Sequence, residues 1–571
     1  MRWIEDQQES KTVESLSQKL NISIILSRFI VSTGIKTTEE AQSFLDPKLA
    51  HFTDPFEIKG MLQAVERICE ALKQKETILL VGDYDVDGIT STVIIKKNLT
   101  KLGSNPFHVI PKRKTEGYGL SEKVLKRGLK MGEVDLVIAL DCGTNSSNEA
   151  KYLEERGIDL IVVDHHQSKE KLPSNAILVN PHLSKDHGEP WRFLCTAGLA
   201  FKLIHGMLKK LRQDGDKVAL ELSPKESIGL SGLGTIADLV PLKNENRILA
   251  NFGLKYLSQQ SGIGVQALLK EAKVENTSLV GEDVAFKIAP RINACGRLDD
   301  PDLAISLLLE TDPNNCRALA KKMNEYNEER KSIESNLSKE ALNQANNLFS
   351  EKPAVVACGE GDAWNPGVVG IVAGKLAHSL CKPCIVLARS ESEYKGSGRG
   401  VAGVNLMNIL NQCKELLTHW GGHPAAVGLS LNEENLEKFK KSFVECVEVE
   451  TNGKLPEPSL KIAATIKESE LQDSLIDDLN KLAPFGQENP EPILALKNIL
   501  LTHEPKKVGS GNHFQFSVFN GVRNITGIAW NMSENMPSSS TPLDLAFKLR
   551  WNHWNGRKTP QMVLEDWKLS A

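Results

Sequence analysis

Between residues 77 and 182 short apolar runs alternate with longer amphipathic stretches. Thr77-Ile78-Leu79-Leu80-Val81 is followed by an apolar-periodic segment from Ile89 to Leu102 and then by Phe107-His108-Val109-Ile110. Asp135-Leu136-Val137-Ile138-Ala139-Leu140, a helical stretch to Arg156, Asp159-Leu160-Ile161-Val162-Val163 and Ile177-Leu178-Val179 complete the series. Continuous apolar runs of this length read as strands covered on both faces, so the segment predicts an open, mostly parallel α/β sheet. In such sheets ligands sit outside the carboxyl ends of the strands.

The chain has 571 residues, which at ~100–200 per domain calls for about three to five domains. Residues 196–310 read as helical, and 313–349 as one long helix with Asp312 as cap and Pro313 in the first position. Cys316, Leu319, Met323, Tyr326, Ile333, Leu337, Ala341 and Leu348 form a narrow apolar stripe on it, interrupted at Arg330. A helix this thinly apolar bridges lobes more often than it fills a core. A second α/β unit is expected from Ala354 to Glu450, a linker over Asn452–Pro458, and a small β domain or barrel over 459–571, where His513-Phe514-Gln515-Phe516-Ser517-Val518-Phe519 alternates.

Composition narrows the classes. A hydrophobic share of 40% with 25% charged residues excludes global disorder. The balance of 69 basic against 73 acidic residues neither argues for nucleic acid nor excludes a local basic groove. The ten cysteines are scattered. Cys381 and Cys384 lack the second pair that a four-thiolate zinc site needs, and read as half-buried thiols at a strand start. Scattered thiols fit a reducing cytoplasm. Met1–Asp6 carries no apolar core of a signal peptide, and no run reaches the ~18–20 apolar residues that span a bilayer, so no membrane is expected.

The chemistry lies where the strands end. The first runs into Gly82-Asp83-Tyr84-Asp85-Val86-Asp87-Gly88, the next ends at Asp141-Cys142-Gly143, and a third at Asp164-His165-His166. A later segment supplies Ala237-Asp238-Leu239-Val240-Pro241. Carboxylates gathered this densely cannot all stay ionised without a cation. Oxygen ligands with a minority of imidazole suit Mn²⁺ or Mg²⁺. Two such ions about 3.5–4 Å apart activate water and stabilise a phosphoryl group in displacement, so metal-assisted hydrolysis of a phosphate bond is the expected reaction. No glutamate follows Gly88 at the offset of a calcium loop. Gly232-Leu233-Gly234-Thr235-Ile236-Ala237 lacks the strand that a dinucleotide fingerprint requires. Glycines separate His419 from His423, against a helical zinc pair, and no Walker-type loop is present.

Taken together, the strand-end acids and the Asp-His-His run resemble the DHH phosphoesterase superfamily. Glu116-Gly117-Tyr118-Gly119-Leu120, Gly234-Thr235-Ile236-Ala237-Asp238, Arg291-Ile292-Asn293-Ala294-Cys295-Gly296-Arg297, Gly396-Ser397-Gly398-Arg399, Gly421-Gly422-His423-Pro424-Ala425-Ala426 and Phe485-Gly486-Gln487-Glu488-Asn489-Pro490 are similar to its RecJ single-strand exonuclease branch, over roughly residues 60–571. The resemblance implies an N-terminal extension over 1–60, a DHH catalytic domain over 61–250, and a helical region with the long helix over 251–350. It also implies a DHH-associated substrate-binding domain over 351–450 and an OB-like nucleic-acid-binding domain over 459–571. One metal ion would take Asp83, Asp85 and Asp141, and the other Asp87, Asp141, His165 and Asp238. His166 would touch the scissile phosphate or protonate the leaving group. Arg113, Arg291, Asn293 and Arg297 would line the DNA path, and Ser397, Arg399 and Gly421-Gly422-His423 would hold the terminal nucleotide's phosphate.

Gly400, Asn365, Val427 and Cys295 depart from the family pattern, all outside the expected metal shell. The implied activity is 5′→3′ hydrolysis of single-stranded DNA to 5′-mononucleotides in recombination and repair, with a single-strand-binding protein and a helicase as partners. His513, Phe514, Phe516 and Trp530 are candidate stacking platforms, although alternate aromatics on a strand equally belong to a core. Short RNA, cyclic dinucleotides or pyrophosphate are rival substrates. An inactive DNA-binding scaffold is the rival from another class, and the presence of every expected ligand weakens it.

Overall fold

The computed structural model describes the chain except residues 6–9, 114, 169–170, 187, 275–278, 299, 362–363, 391, 555–556 and 571. The first sheet has five parallel strands in the order Phe107–Val109, Ile78–Val81, Leu136–Leu140, Asp159–Val163 and Ile177–Val179. Alternate residues serve opposite faces. Ile78, Leu80, Ile138, Leu140, Ile161 and Val163 pack on the helices Met61–Gln74 and Thr196–Gln213. Leu79, Val81, Val137, Ala139, Leu160 and Val162 pack under Glu122–Gly128 and Ser147–Glu154. Both faces are dry, which is why these strands read as unbroken apolar runs.

The helix Pro313–Leu348 is capped as expected: the Asp312 carboxylate accepts from the Asn314 and Asn315 amides, both at 2.9 Å. Its first half gives Cys316, Ala320 and Met323 to a core shared with helices around the first sheet. Its second half gives Leu337, Ala341 and Ala345 to the core of a second sheet. It therefore bridges two lobes. Leu348, expected in the stripe, is 63% exposed, because the face that enters the second core runs through Ala345 to Phe349 and leaves Leu348 to one side of it.

The second sheet runs His419–His423, Ala426–Asn432, Glu393–Arg399, Cys384–Ser390, Val355–Gly359. Only its last pair is parallel. Cys384 is buried at a strand start, whereas Cys381 is exposed with φ 51°, outside the strand. The third sheet has seven strands, mostly antiparallel, between Ala464 and Leu569.

Residues near the start of the chain are not a separate appendage. Strand Arg2–Glu5 pairs in parallel with Ser459–Ile462. Val13, Leu16, Leu26, Phe29, Ile30 and Phe44 enter the same core as Phe514, Phe516 and Phe547. Phe514 (0% exposed) and Phe516 (4%) are thus core side chains and not stacking platforms. His513 and Trp530 remain at the surface, edge to face at 4.8 Å between centroids, with Trp530 54% exposed. Among the described residues no helix is long and apolar enough to cross a membrane.

Candidate active site

Three local devices bring the acids together. The turn after Ile78–Val81 is tight: a Cβ on Gly88 would lie 2.5–2.7 Å from the Asp83 backbone, so only glycine fits there. Within this turn Asp85 caps the helix Val86–Lys101 through the Gly88 amide at 3.0 Å, and Asp83 accepts from the Tyr84 amide at 2.8 Å. Asp87 projects from that helix's first turn and is 1% exposed. At the end of Leu136–Leu140 the backbone of Asp141 is left-handed, with φ 65°, a strained conformation of the kind that functional sites retain.

The helix Thr196–Gln213 points its N-terminus at this cluster. The Thr196 and Ala197 amides donate to the two Asp87 oxygens at 2.7 and 2.8 Å, and the Thr196 hydroxyl donates to Asp141 at 2.9 Å. Oriented amides and a positive helix end favour carboxylates there. Asp238 ends the helix Ile228–Ala237. Gly234 lets that helix come close, because a Cβ there would meet Ala197 Cβ at 2.5 Å and Asp87 Oδ1 at 3.0 Å.

His165 stands at the centre. Its Nε2 lies 3.4 Å from Asp141, 3.4 Å from Asp238 and 3.7 Å from Asp87. Burial holds its pKa down, favouring the neutral imidazole that metals bind. Asp87, His165 and Asp238 form one group able to hold an ion, and Asp141, His165 and His166 another. Burial, reinforced by mutual repulsion, pushes Asp141 far above the carboxylate range, Asp238 to about 9 and Asp83 to about 7. Carboxylates held protonated at neutral pH are what such a cluster shows without cations, and divalent ions would restore their ionised form. The donor set, oxygen with one or two imidazoles, fits Mn²⁺ or Mg²⁺.

Asp164, which the motif contains but which stands outside the expected site, has a separate task. It is 1% exposed and accepts from Thr144 N at 3.1 Å, His166 N at 3.1 Å and His166 Nδ1 at 2.7 Å. This partner raises His166 to about 9 against the effect of burial. It also leaves Nε2 as the free ring nitrogen. Asp164 and Thr196 are the residues that motif reasoning missed as site members.

The expected substrate residues are distributed over both lobes. Arg113 lies over the Tyr84 ring at 5.3 Å. Arg291 bonds Asn324 Oδ1 at 3.0 Å and Lys287 O at 2.6 Å. Arg297 reaches the second lobe, donating to Gly367 O at 2.6 Å. Asn293 is half-buried on the helix Ala289–Arg297 with both arginines. Ser397 and Arg399 share the strand Glu393–Arg399 and face the helix Val369–Leu380 at Gly370. Gly421, Gly422 and the exposed His423 lie on the sheet's edge strand. Asn365 accepts from the Gly367 amide at 2.8 Å, while Val427 and Cys295 are core residues.

A parallel sheet with buried aspartates and paired histidines at its carboxyl edge defines a DHH-type protein. The DHH family N-terminal domain matches residues 77–231, the DHHA1 domain 351–449 and the RecJ OB domain 462–566. The single-stranded-DNA-specific exonuclease RecJ of Bacillus subtilis is 34% identical over 575 residues, covering 99% of this chain and 70% of the relative. That of Escherichia coli is 30% identical over 560 residues, covering 95% of each. The crystal structure of RecJ in complex with Mn²⁺ from Thermus thermophilus aligns with a TM-score of 0.84 at 28% identity, covering 100% of this chain and 80% of that one, and the Mg²⁺ complex aligns at 0.78 and 26%. The chain belongs to the RecJ family.

Proposed function

We propose that this chain is a two-metal exonuclease that degrades single-stranded DNA from its 5′ end to 5′-mononucleotides, in DNA recombination and repair. The observation that carries the reading is the buried cluster of Asp87, Asp141, His165 and Asp238 in a chain that also has an OB-type domain. In this reading one ion is held by Asp83, Asp85 and Asp141, and the other by Asp87, Asp141, His165 and Asp238. The bound ions supply Lewis acidity toward water and the phosphate.

The residues do the rest. Thr196 and its amide hold Asp141 and Asp87 in their ligand orientations. His166, fixed through Nδ1 by Asp164, offers Nε2 to the scissile phosphate or to the leaving oxygen. Arg113, Arg291, Asn293 and Arg297 line the strand's path, and guanidinium forks suit phosphate oxygens. Ser397, Arg399, Gly421, Gly422 and His423 hold the terminal phosphate. The working division is 1–60, 61–250, 251–350, 351–450 and 459–571, with the first segment an extension whose residues 2–44 join the last domain, and the last segment a nucleic-acid track on which Trp530 is exposed beside the half-buried His513. A single-strand-binding protein and a helicase are the proposed partners, and the cytoplasm the proposed location.

The test is release of mononucleotides from a long 5′-phosphorylated single strand, beside blunt duplex, short RNA and cyclic dinucleotide, with Mn²⁺, Mg²⁺ or chelator, and with Asp141→Ala. Metal-dependent loss of the single strand alone, absent in the variant, is expected. Turnover confined to the short substrates would reassign the chain to small-nucleotide hydrolysis.

A further inference from the structure

At the carboxyl edge of the first sheet, hydrogen bonds close a ring that includes His166. The ring joins the ends of three neighbouring strands, Leu136–Leu140, Asp159–Val163 and Ile177–Val179. On one side of it Asp164 accepts from the Thr144 amide and from the His166 amide, both at 3.1 Å. Asn180, the residue after the third strand, closes the other side. Its Nδ2 donates to the His166 carbonyl at 2.8 Å and to the Thr144 hydroxyl at 2.9 Å, and its Oδ1 accepts from the His182 amide at 2.8 Å. The His182 amide demands an acceptor and the His166 carbonyl a donor, so the Asn180 amide has one permitted orientation. Thr144, Asp164 and Asn180 are each 1% exposed.

His166 is held differently from its supports, because its side chain is 51% exposed. A ring with half its surface in water has little packing to fix it, so hydrogen bonds must supply its orientation. Asp164 takes the His166 amide and ring Nδ1, and Asn180 takes the carbonyl from a neighbouring strand end. The two grips lie on either side of the His166 Cα. The following carbonyl, of Gln167, is bonded at the surface by Asn145 at 3.1 Å, which makes Asn180 the buried anchor of this loop. The metal-ligand candidates Asp87 and Asp141 have separate supports in Thr196 and Ala197. We propose that Asn180 is a positioning residue for His166, fixing the imidazole over the scissile phosphate through the histidine's main chain and through Thr144. Its loss should therefore disturb the chemical step and spare the ions. The catalytic consequence rests on the exonuclease reading above, whereas the grip on His166 does not.

Asn180→Ser, which withdraws the amide, should lower kcat on a 5′-phosphorylated single strand about tenfold, with KM and calorimetric Mn²⁺ affinity within about twofold. Thr144→Val, which keeps the shape and loses the acceptor, should lower kcat about threefold, and Thr144→Ser should restore it. In a His166→Ala background Asn180→Ser should bring no further fall, because the group it positions is gone. Amide hydrogen exchange should quicken about tenfold over residues 164–168 in Asn180→Ser, and not over 136–141. Unchanged kcat with unchanged exchange would overturn the proposal. So would a loss of Mn²⁺ affinity of about tenfold, which would trace the effect to the metal centre, or a second fall of that size in the His166→Ala background, which would place it elsewhere. If Asn180→Ser does not fold, the contrast between Thr144→Val and Thr144→Ser decides. If the parent protein does not degrade single strands, the exonuclease reading falls, and the exchange measurement still decides the grip on His166.

Discussion

Asp164 stands beside metal-ligating chemistry without joining it. Both of its oxygens are occupied by amides and by the His166 ring, so its contribution is orientation. Asp164→Asn should lower kcat about 10–100-fold, while a calorimetric Mn²⁺ titration shows the ions still bound. The cluster around it predicts a second result. Because cations favour the folded, ionised arrangement, Mn²⁺ at a hundred times its dissociation constant should add about 2.7 kcal/mol per bound ion to stability against urea, reversed by chelator. The acids and histidines at the strand ends were legible in sequence because they stand in short motifs that follow apolar runs. Thr196 was not, since its main contribution to Asp87 is a backbone amide, a donor that every residue except proline carries and that no residue pattern marks.

Among the elements, the helix Ile228–Ala237 shows how close packing hides in a sequence. Gly232 lies against Gly253, a Cβ there meeting its Cα at 2.6 Å. Glycines serving this crossing are what resembled a nucleotide fingerprint. Gly234 does the same toward Asp87. Gly234→Ala should cost about 1–3 kcal/mol through overpacking, seen in urea denaturation, and should weaken Mn²⁺ binding through displaced Asp87. The central strands of the first sheet were read correctly because burial on both faces leaves them apolar but for Asp159 at the start of one. The β domain's aromatics were ambiguous because alternation tells which residues share a face and not which face is wet. Partner sheets and helices decide that, and here they cover Phe514 and Phe516.

For the molecule as a whole, Arg247 joins three regions. From the helix Asn244–Gln259 its guanidinium donates to Phe44 O at 2.7 Å and to Ala483 O at 3.0 Å, and it lies 3.7 Å from the Phe44 ring centroid. It is 2% exposed. Arg247→Ala strips the carbonyls on two neighbouring regions at once. Limited proteolysis near residues 452–458 should quicken, and degradation of long strands should fall about tenfold through lost coupling of the domains, with short oligonucleotides unaffected. The shared core of residues 13–44 with the sheet between Ala464 and Leu569 has a consequence during synthesis. The helices that emerge early must wait for a partner more than 400 residues later, which at about 5–20 residues per second is roughly 20–80 s. Through that interval the cover that the later sheet gives Leu26, Phe29 and Ile30 is absent from the nascent chain, and exposed apolar surface of this kind is what chaperones hold.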